Sequence, residues 1–407
     1  MWIILRLLIG IAILLTVEFY FIKRVNLTIK HFFPNFYEKK FPLVRKVYLI
    51  WMNLYPVVLI IIFTYFAISG SYLTAPESMI IDYLLVYPFW ISFILMIQCC
   101  LFFIPLDLLK LISYLFLKKY KVSLTRIHST LLFLIIGFFL LYIPIRIIYD
   151  YNAVSIRITE YKKDNLPASL KNFKIAFISD IQADYYTDEG RLNNFISTVN
   201  LLKPDLILMA GDLITTGPDY IEVSAREVGK LKAEYGVYSC VGDHDNWAYR
   251  NDYSKSLAEV MAALNSNNVQ MIDNDIKKIN VGGAEIEITF ITNTYVETVS
   301  QNILDSLSSN SAGNFKIFLA HQPQPKLIEA AQKNNFNLFL AGHTHGGQIT
   351  FVFPFIQLTP TMFETIYIRG DFWFGDMLMV VTRGLGMSLA PIRYNSTPEI
   401  TLIVLSK

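Results

Sequence analysis

Five apolar runs between Phe177 and His345 of this 407-residue chain stop on side chains that bind metal ions. Phe177-Ile178-Ser179 ends on Asp180, Leu206-Ile207-Leu208-Met209-Ala210-Gly211 on Asp212, and Phe318-Leu319-Ala320 on His321. Val237-Tyr238-Ser239-Cys240-Val241-Gly242 leads into Asp243-His244-Asp245, and Leu338-Phe339-Leu340-Ala341-Gly342 into His343-Thr344-His345. Carboxylate oxygens suit hard divalent ions, and imidazole nitrogens suit zinc, iron, manganese or nickel. A mixed Asp/His set fits a bridged two-ion hydrolytic centre, in which one carboxylate touches both ions. Asp212, behind a glycine at the end of its run, is well placed to bridge. His343 and His345 lie two apart, so an extended backbone points both rings to one side.

Each residue alone has a plainer reading. An aspartate after an apolar run is often a helix cap, His321 before Gln-Pro-Gln-Pro could merely close a strand, and His343-Thr344-His345-Gly346-Gly347 could be a glycine-rich turn. Taken in order, and all at the ends of apolar runs, they point to one site.

The elements that must position them follow from the runs. Short apolar segments closed by glycine or polar residues read as buried strands of a sheet covered on both faces. Ligands of such sheets sit beyond the carboxyl ends of the strands, where the five runs deliver their side chains. Helical spacing of apolar residues predicts helices over Arg191–Leu202, Ile221–Lys232, Ser256–Leu264 and Lys326–Asn334. Further strands are expected at Ile286–Thr292, Met377–Thr382 and Ile400–Leu405. The expected fold class is α/β: a sandwich of two sheets flanked by helices, over residues 173–407, joined by a linker, 151–172, to an apolar N-terminal region, 1–150.

That region explains a composition of 54% apolar and only 17% charged residues. Four stretches, Met1–Ile22, Val47–Ser69, Leu84–Leu106 and Ser129–Tyr149, are each long enough to cross a bilayer, which takes roughly 20 apolar residues. The first reads as a retained helix, because it lacks a small-residue cleavage site before Lys23-Arg24. Lys23, Arg24, Lys30, Lys39, Lys40, Arg45 and Lys46 crowd the first loop, and Lys110, Lys118, Lys119, Lys121 and Arg126 lie around the third. The second, Gly70–Tyr83, has neither Lys nor Arg but carries Glu77 and Asp82. The positive-inside rule makes this a multi-pass membrane protein with its C-terminal domain on the extracytoplasmic side. Glu18, Asp107 and Arg146 sit near helix ends, and Gln98 is the notable polar residue near a helix centre. The bundle therefore reads as an anchor rather than a transport path.

The blocks Asp180-x-Gln182, Gly211-Asp212, Gly242-Asp243-His244-Asp245, His321 and Gly342-His343-Thr344-His345 together resemble the calcineurin-like metallophosphoesterases. The tail, from Thr382-Arg383-Gly384-Leu385-Gly386 through Pro391-Ile392-Arg393 to Pro398-Glu399-Ile400, resembles their membrane-linked bacterial branch. The resemblance covers roughly Lys174 to the C-terminus and none of the helical half. It implies a calcineurin-like sandwich and two divalent metal ions, with manganese favoured over zinc, iron or magnesium. One ion would be held by Asp180, Gln182, Asp212 and His345, and the other by Asp212, Asp243, His321 and His343. A hydroxide between the ions would attack phosphorus in line, and His244, oriented by Asp245, would protonate the leaving oxygen. Arg383 is expected to bind substrate. Two positions depart from the pattern, Gln182 standing where the family usually has His and Asp243 where it has Asn. Together they shift the centre toward harder ions, manganese or magnesium, or toward weak occupancy of the first metal.

The expected activity is hydrolysis of a phosphomonoester or phosphodiester, with a lipid or envelope component as the candidate substrate and the bilayer as a partner. No basic groove interleaved with aromatics is legible, so nucleic acid is disfavoured, and no residue pattern names a protein partner. The alternative is a metal-binding or sensory membrane protein that kept the fold without turnover. The weakest reading is a transport or assembly partner regulated by its outer domain. The three cysteines, Cys99, Cys100 and Cys240, form no disulfide framework.

Overall fold

The computed structural model describes residues 2–69, 77–249, 251–311 and 313–407, with the side chains of residues 2–9 and 67 outside the description. Met1, the Arg6 side chain and half of the loop expected at Gly70–Tyr83, residues 70–76, therefore lie outside it. The chain divides into two compact units, Met1–Ile148 with Phe351–Leu358, and Tyr149–Thr350 with Thr359–Lys407.

The first unit carries α1 (Trp2–Phe32), α2 (Pro34–Lys39), α3 (Phe41–Ser69) and α4 (Met79–Ile81). A π-helical turn at Asp82–Val86 joins α4 to α5 (Tyr87–Phe116), and α6 follows (Lys121–Asn152). Among the described residues three helical stretches are long and apolar enough to cross a membrane: Phe41–Phe66, Met79–Phe116 and Lys118–Asn152. Of the four expected spans, these correspond to the last three. The first expected span falls on α1, whose described side chains include the charged Glu18, Lys23 and Arg24. Pro56, Pro105 and Pro144 sit inside α3, α5 and α6, as membrane helices tolerate. Two acidic groups in the bundle, Glu18 and Asp107, have polar partners, as an apolar surrounding demands. Glu18 of α1 accepts from Asn53 Nδ2 of α3 at 2.9 Å. Asp107 of α5 meets Arg24 at 2.6 Å and His128 Nε2 at 2.8 Å, and accepts from the Tyr20 hydroxyl.

The second unit is built on two six-stranded sheets. The first contains β1 (Ser155–Lys162), β2 (Lys174–Ile178), β3 (Leu206–Met209), β4 (Val237–Cys240), β5 (Gln270–Ile272) and the C-terminal β14 (Glu399–Ser406), in the order β1-β14-β2-β3-β4-β5. The second contains β6 (Asp275–Val281), β7 (Ala284–Ile291), β8 (Phe315–Ala320), β9 (Leu338–Ala341), β12 (Gly370–Phe374) and β13 (Met377–Val381), in the order β12-β13-β9-β8-β7-β6. Strands β2, β3 and β4 run parallel, as do β8 and β9, so their carboxyl ends gather the site within each sheet.

Alternation along these strands makes the sandwich. Phe177, Leu208, Phe290, Ile317, Leu340 and Leu378 turn into a shared core between the sheets. Ala176, Ile178, Ile207 and Met209 turn outward against the helices α7 (Glu189–Leu201), α8 (Ile221–Val228) and α9 (Tyr253–Ser266). On the second sheet, Phe318, Phe339 and Met379 pack beneath α10 (Gln301–Ser309) and α11 (Pro325–Lys333). Each fully buried side chain of this size stabilises the fold by about 1.5–3 kcal/mol.

Two features depart from the expectations. The stretch expected as a linker, 151–172, contains β1, which pairs in parallel with β14 from Ser155↔Glu399 to Lys162↔Ser406. Only the end of that strand is buried, at Thr159 and Tyr161, so its apolar signal is short and a charged turn follows it. The second feature is a hairpin, β10 (Phe351–Phe353) and β11 (Ile356–Leu358), that belongs to the helical unit although its chain neighbours belong to the sandwich. Gln98 in the middle of α5 is fully buried and holds it, donating to Val352 O at 2.6 Å and accepting from Val352 N at 3.0 Å. Its amide thus serves as a strand partner within the bundle, and Phe102 packs on Phe353 beside it.

Candidate metal centre

The backbone marks the site before any side chain is considered. Asp180, Gln182, Asp212, His343 and His345 all have left-handed φ, at 52°, 50°, 59°, 69° and 49°. Such a conformation costs a non-glycine residue of order 1–2 kcal/mol and persists where the surroundings impose it. The surroundings here are a mesh of main-chain bonds. Asp180 N donates to Gly211 O at 3.1 Å, Gln182 N to Asp212 O at 3.0 Å, and Gly386 N to Asp180 O at 2.6 Å. Asp245 adds to it with a buried carboxylate that accepts from Gly242 N at 2.8 Å, Asp212 N at 3.0 Å and Leu213 N at 2.8 Å. Gly242 approaches Asp212 so closely that a Cβ there would collide with its backbone nitrogen and its carboxylate.

The side chains converge. Two groups, Asp243/His321/His343 and Asp180/Asp212/His321, each hold their ligand atoms within 4.8 Å of one another. His321 Nε2 lies 3.4 Å from Asp212 Oδ2 and 3.3 Å from Asp243 Oδ2, while His343 Nδ1 lies 2.9 Å from Asp243 Oδ2. His345 Nε2 is 3.5 Å from Asp180 Oδ1. Gln182 Nε2 donates to Asp212 Oδ2 at 2.7 Å. Asp212 therefore stands between Gln182 on one side and His321 on the other. The structure thus brings together all seven residues expected as ligands.

The donor chemistry fits divalent ions. Three carboxylates, three imidazoles and an amide oxygen form a mixed hard and borderline set. Gln182 Oε1 is buried without a hydrogen-bond partner, which leaves an acceptor in the site that a cation could satisfy once the amide turns. His321 Nδ1 is 2.6 Å from the Ala210 carbonyl, and a hydrogen bond there turns the lone pair of Nε2 toward the carboxylates.

His244 lies beside the group, but its orienting partner differs from the one expected. Its Nδ1 is 2.5 Å from Thr215 O, its Nε2 is 3.3 Å from Ser388 Oγ, and its ring meets Trp247 edge-on at 4.5 Å. Asp245 is committed to the three main-chain amides named above. The expected Asp245–His244 pairing is replaced by a carbonyl because Asp245 is wholly buried under Gly242 and Asp212.

Residues 173–347 match the family described as calcineurin-like phosphoesterase. The metallophosphoesterase YkuE of Bacillus subtilis (strain 168) is 33% identical over 251 residues, 60% of this chain and 82% of that protein. This chain belongs to the calcineurin-like metallophosphoesterases. A transmembrane protein with a metallophosphoesterase domain from Bos taurus is 28% identical over 251 residues, 59% of this chain and 54% of its own length. A metallophosphoesterase of Campylobacter jejuni is 27% identical over 313 residues, covering 75% of this chain and 78% of that protein. The family hydrolyses phosphoester bonds, and the apolar helices go with membrane association.

Around the converging side chains this phosphoesterase carries residues to which the sequence assigned no role. Gln322 Nε2 donates to both oxygens of Asp243, at 3.0 and 2.7 Å, and Tyr295 N donates to Asp243 Oδ1 at 2.7 Å. Glu364 Oε1 lies 3.1 Å from His343 Nε2 and accepts from the Tyr295 hydroxyl. Arg393 is completely buried, donates to the carbonyls of His345, Gly386 and Ser396, and reaches within 3.5 Å of His345 Nδ1. The Gln322 signal was its place next to His321; Tyr295 and Glu364 come from irregular loops and gave none. Arg383 has an internal partner, with its Nε 3.2 Å from Glu399 Oε2.

Charge coupling in the centre is strong. Burial pushes the Asp212 carboxyl well above the usual range against the pull of His321. Burial would hold His321 neutral, yet the carboxylates of Asp212 and Asp243 outweigh it and raise its pKa well above normal. Burial lowers His345 to about 3, and Arg393 adds to that shift. Burial likewise lowers His244, opposed by its bond to Thr215.

Proposed function

We propose that this protein is a multi-pass, membrane-anchored phosphoesterase that hydrolyses a phosphomonoester or phosphodiester with two divalent ions, manganese foremost. One observation carries the reading: two groups of acidic and imidazole ligands share His321, and Asp212 stands between them. Asp180, Gln182, Asp212 and His345 would hold one ion, and Asp212, Asp243, His321 and His343 the other. Bound there, the pair supplies an activated water and neutralises charge on the phosphoryl oxygens. The chain's own residues do the rest. Asp212 fixes the spacing of the two positions, and Asp245 holds the Asp212 backbone in its left-handed turn. His244, with its Nδ1–H donated to the Thr215 carbonyl, presents Nε2 to the site; as the imidazolium it would give the Nε2 proton to the leaving oxygen and return to the neutral ring.

The substrate class we favour is an amphipathic phosphoester of the bilayer or envelope, processed on the extracytoplasmic side. Two apolar points on the rim support it. Phe363 and Ile366, 98% and 78% exposed, flank Glu364 at His343, and Leu389, 97% exposed, follows Ser388 at His244. Large apolar side chains held in solvent mark contact surfaces. A second reading, a metal-binding or sensory protein without turnover, draws on Gln182, since an amide is a weaker ligand than the imidazole usual in the family.

The test is turnover of bis-p-nitrophenyl phosphate by the full-length protein in detergent. Manganese should support it, a chelator should remove it, and Asp212→Ala or His343→Ala should lower it by at least about a hundredfold. Metal uptake without turnover on this or any lipid phosphoester would favour the second reading.

A further inference from the structure

We infer that the two metal positions are unequal: an ion is held tightly between Asp243, His321 and His343, and weakly between Asp180, Gln182 and His345, where a substrate phosphate completes the site. This rests on the two-metal reading above and concerns the order in which the positions fill.

The asymmetry begins with the donors. Apart from the shared Asp212, the first position has one carboxylate and two imidazoles, whereas the second has one carboxylate, one imidazole and a neutral amide. An amide oxygen binds manganese, zinc or iron more weakly than an imidazole nitrogen does. Support from the surroundings widens the gap. Asp243 is pinned through both oxygens by Gln322 and through Oδ1 by Tyr295 N, and His321 is steered by Ala210 O. Outer partners of this kind are worth roughly 10–100-fold in metal affinity.

At the second position the arrangement works against a cation. The Gln182 amide donates to Asp212 Oδ2 at 2.7 Å, the same oxygen that lies 3.4 Å from His321 Nε2. An ion that took this oxygen would displace the amide, which must then turn its buried, unpartnered Oε1 toward the metal. Behind His345 stands the buried guanidinium of Arg393, 3.5 Å from Nδ1, adding positive charge where a cation would sit. A phosphate group brings both negative charge and oxygen ligands to offset these costs.

Manganese binding to the full-length metal-stripped protein, followed by electron paramagnetic resonance of the free ion, tests this without turnover. We expect two classes differing at least about tenfold in affinity, with one ion per chain surviving desalting. Inorganic phosphate should tighten the weaker class alone. Asp243→Asn should weaken the tight class, and Gln182→His should bring the weak class to within about threefold of it. Two indistinguishable classes in the wild type, or phosphate acting on both alike, would overturn the inference whether or not the variants fold. Turnover with two equal sites would leave the proposed function standing and remove the asymmetry. Unequal sites without turnover would do the reverse.

Discussion

His321 is the residue on which both ligand groups depend, and its protonation sets the terms for metal entry. The carboxylates of Asp212 and Asp243 raise its pKa against burial, so the metal-free fold favours the protonated ring. An ion must expel that proton. Affinity for manganese should therefore climb as pH rises from about 6 to about 8, by up to tenfold per unit for each proton displaced. The sign for the metal-free fold is opposite. A histidine whose folded pKa is raised stabilises the fold below its unfolded value, near 6.5, and that contribution fades as pH passes the raised folded value. Calorimetric titration in buffers of different ionisation enthalpy would count the protons released. Affinity independent of pH, with no proton release, would contradict the charge pattern described for this residue.

At the scale of elements, the apolar runs announced both the strands and their cargo, because a buried parallel strand must be apolar throughout and change character where it ends. Strands β2, β3, β4, β8 and β9 and the convergence of the side chains at their ends were legible for that reason. Strand β1 was not, since most of it is half-exposed and reads as polar linker. The Thr215 carbonyl that holds His244 was equally hidden, because a main-chain acceptor has no side-chain signature. Tyr295 and Glu364 reach the site from loops whose course depends on the finished fold. Gln98 stands out in the sequence as a polar residue in an apolar helix, but nothing in the local pattern points to its partner, a hairpin more than 250 residues later in the chain. Replacing it with Leu should leave Val352 N and O unpaired among apolar side chains. That costs about 1–3 kcal/mol, to be seen as a lower midpoint of thermal unfolding in detergent and faster proteolysis within Phe351–Leu358. Unchanged stability would deny the hairpin its anchor.

For the whole molecule, the distribution of charge among the loops makes a statement about sidedness that does not depend on α1. The basic segments before α3 and between α5 and α6 share one side if α3 and α5 both cross, and α6 then delivers the chain to the other. A reporter active only outside the cytoplasm, fused after Leu405, should therefore be active, while one inserted near Lys119 should be silent. The reversed pattern would place the phosphoesterase in the cytoplasm.

The hairpin also bears on how separable the two units are. Because β10 and β11 interrupt the sandwich between Thr350 and Thr359 while packing on α5, the covalent path crosses between the units at three points. A nick after α6 would sever one of them and leave the hairpin gripped by Gln98. Shedding of the catalytic unit by a single proteolytic cut is thus disfavoured, and a gene fragment beginning at β1 would carry a phenylalanine-rich finger with nothing to receive it.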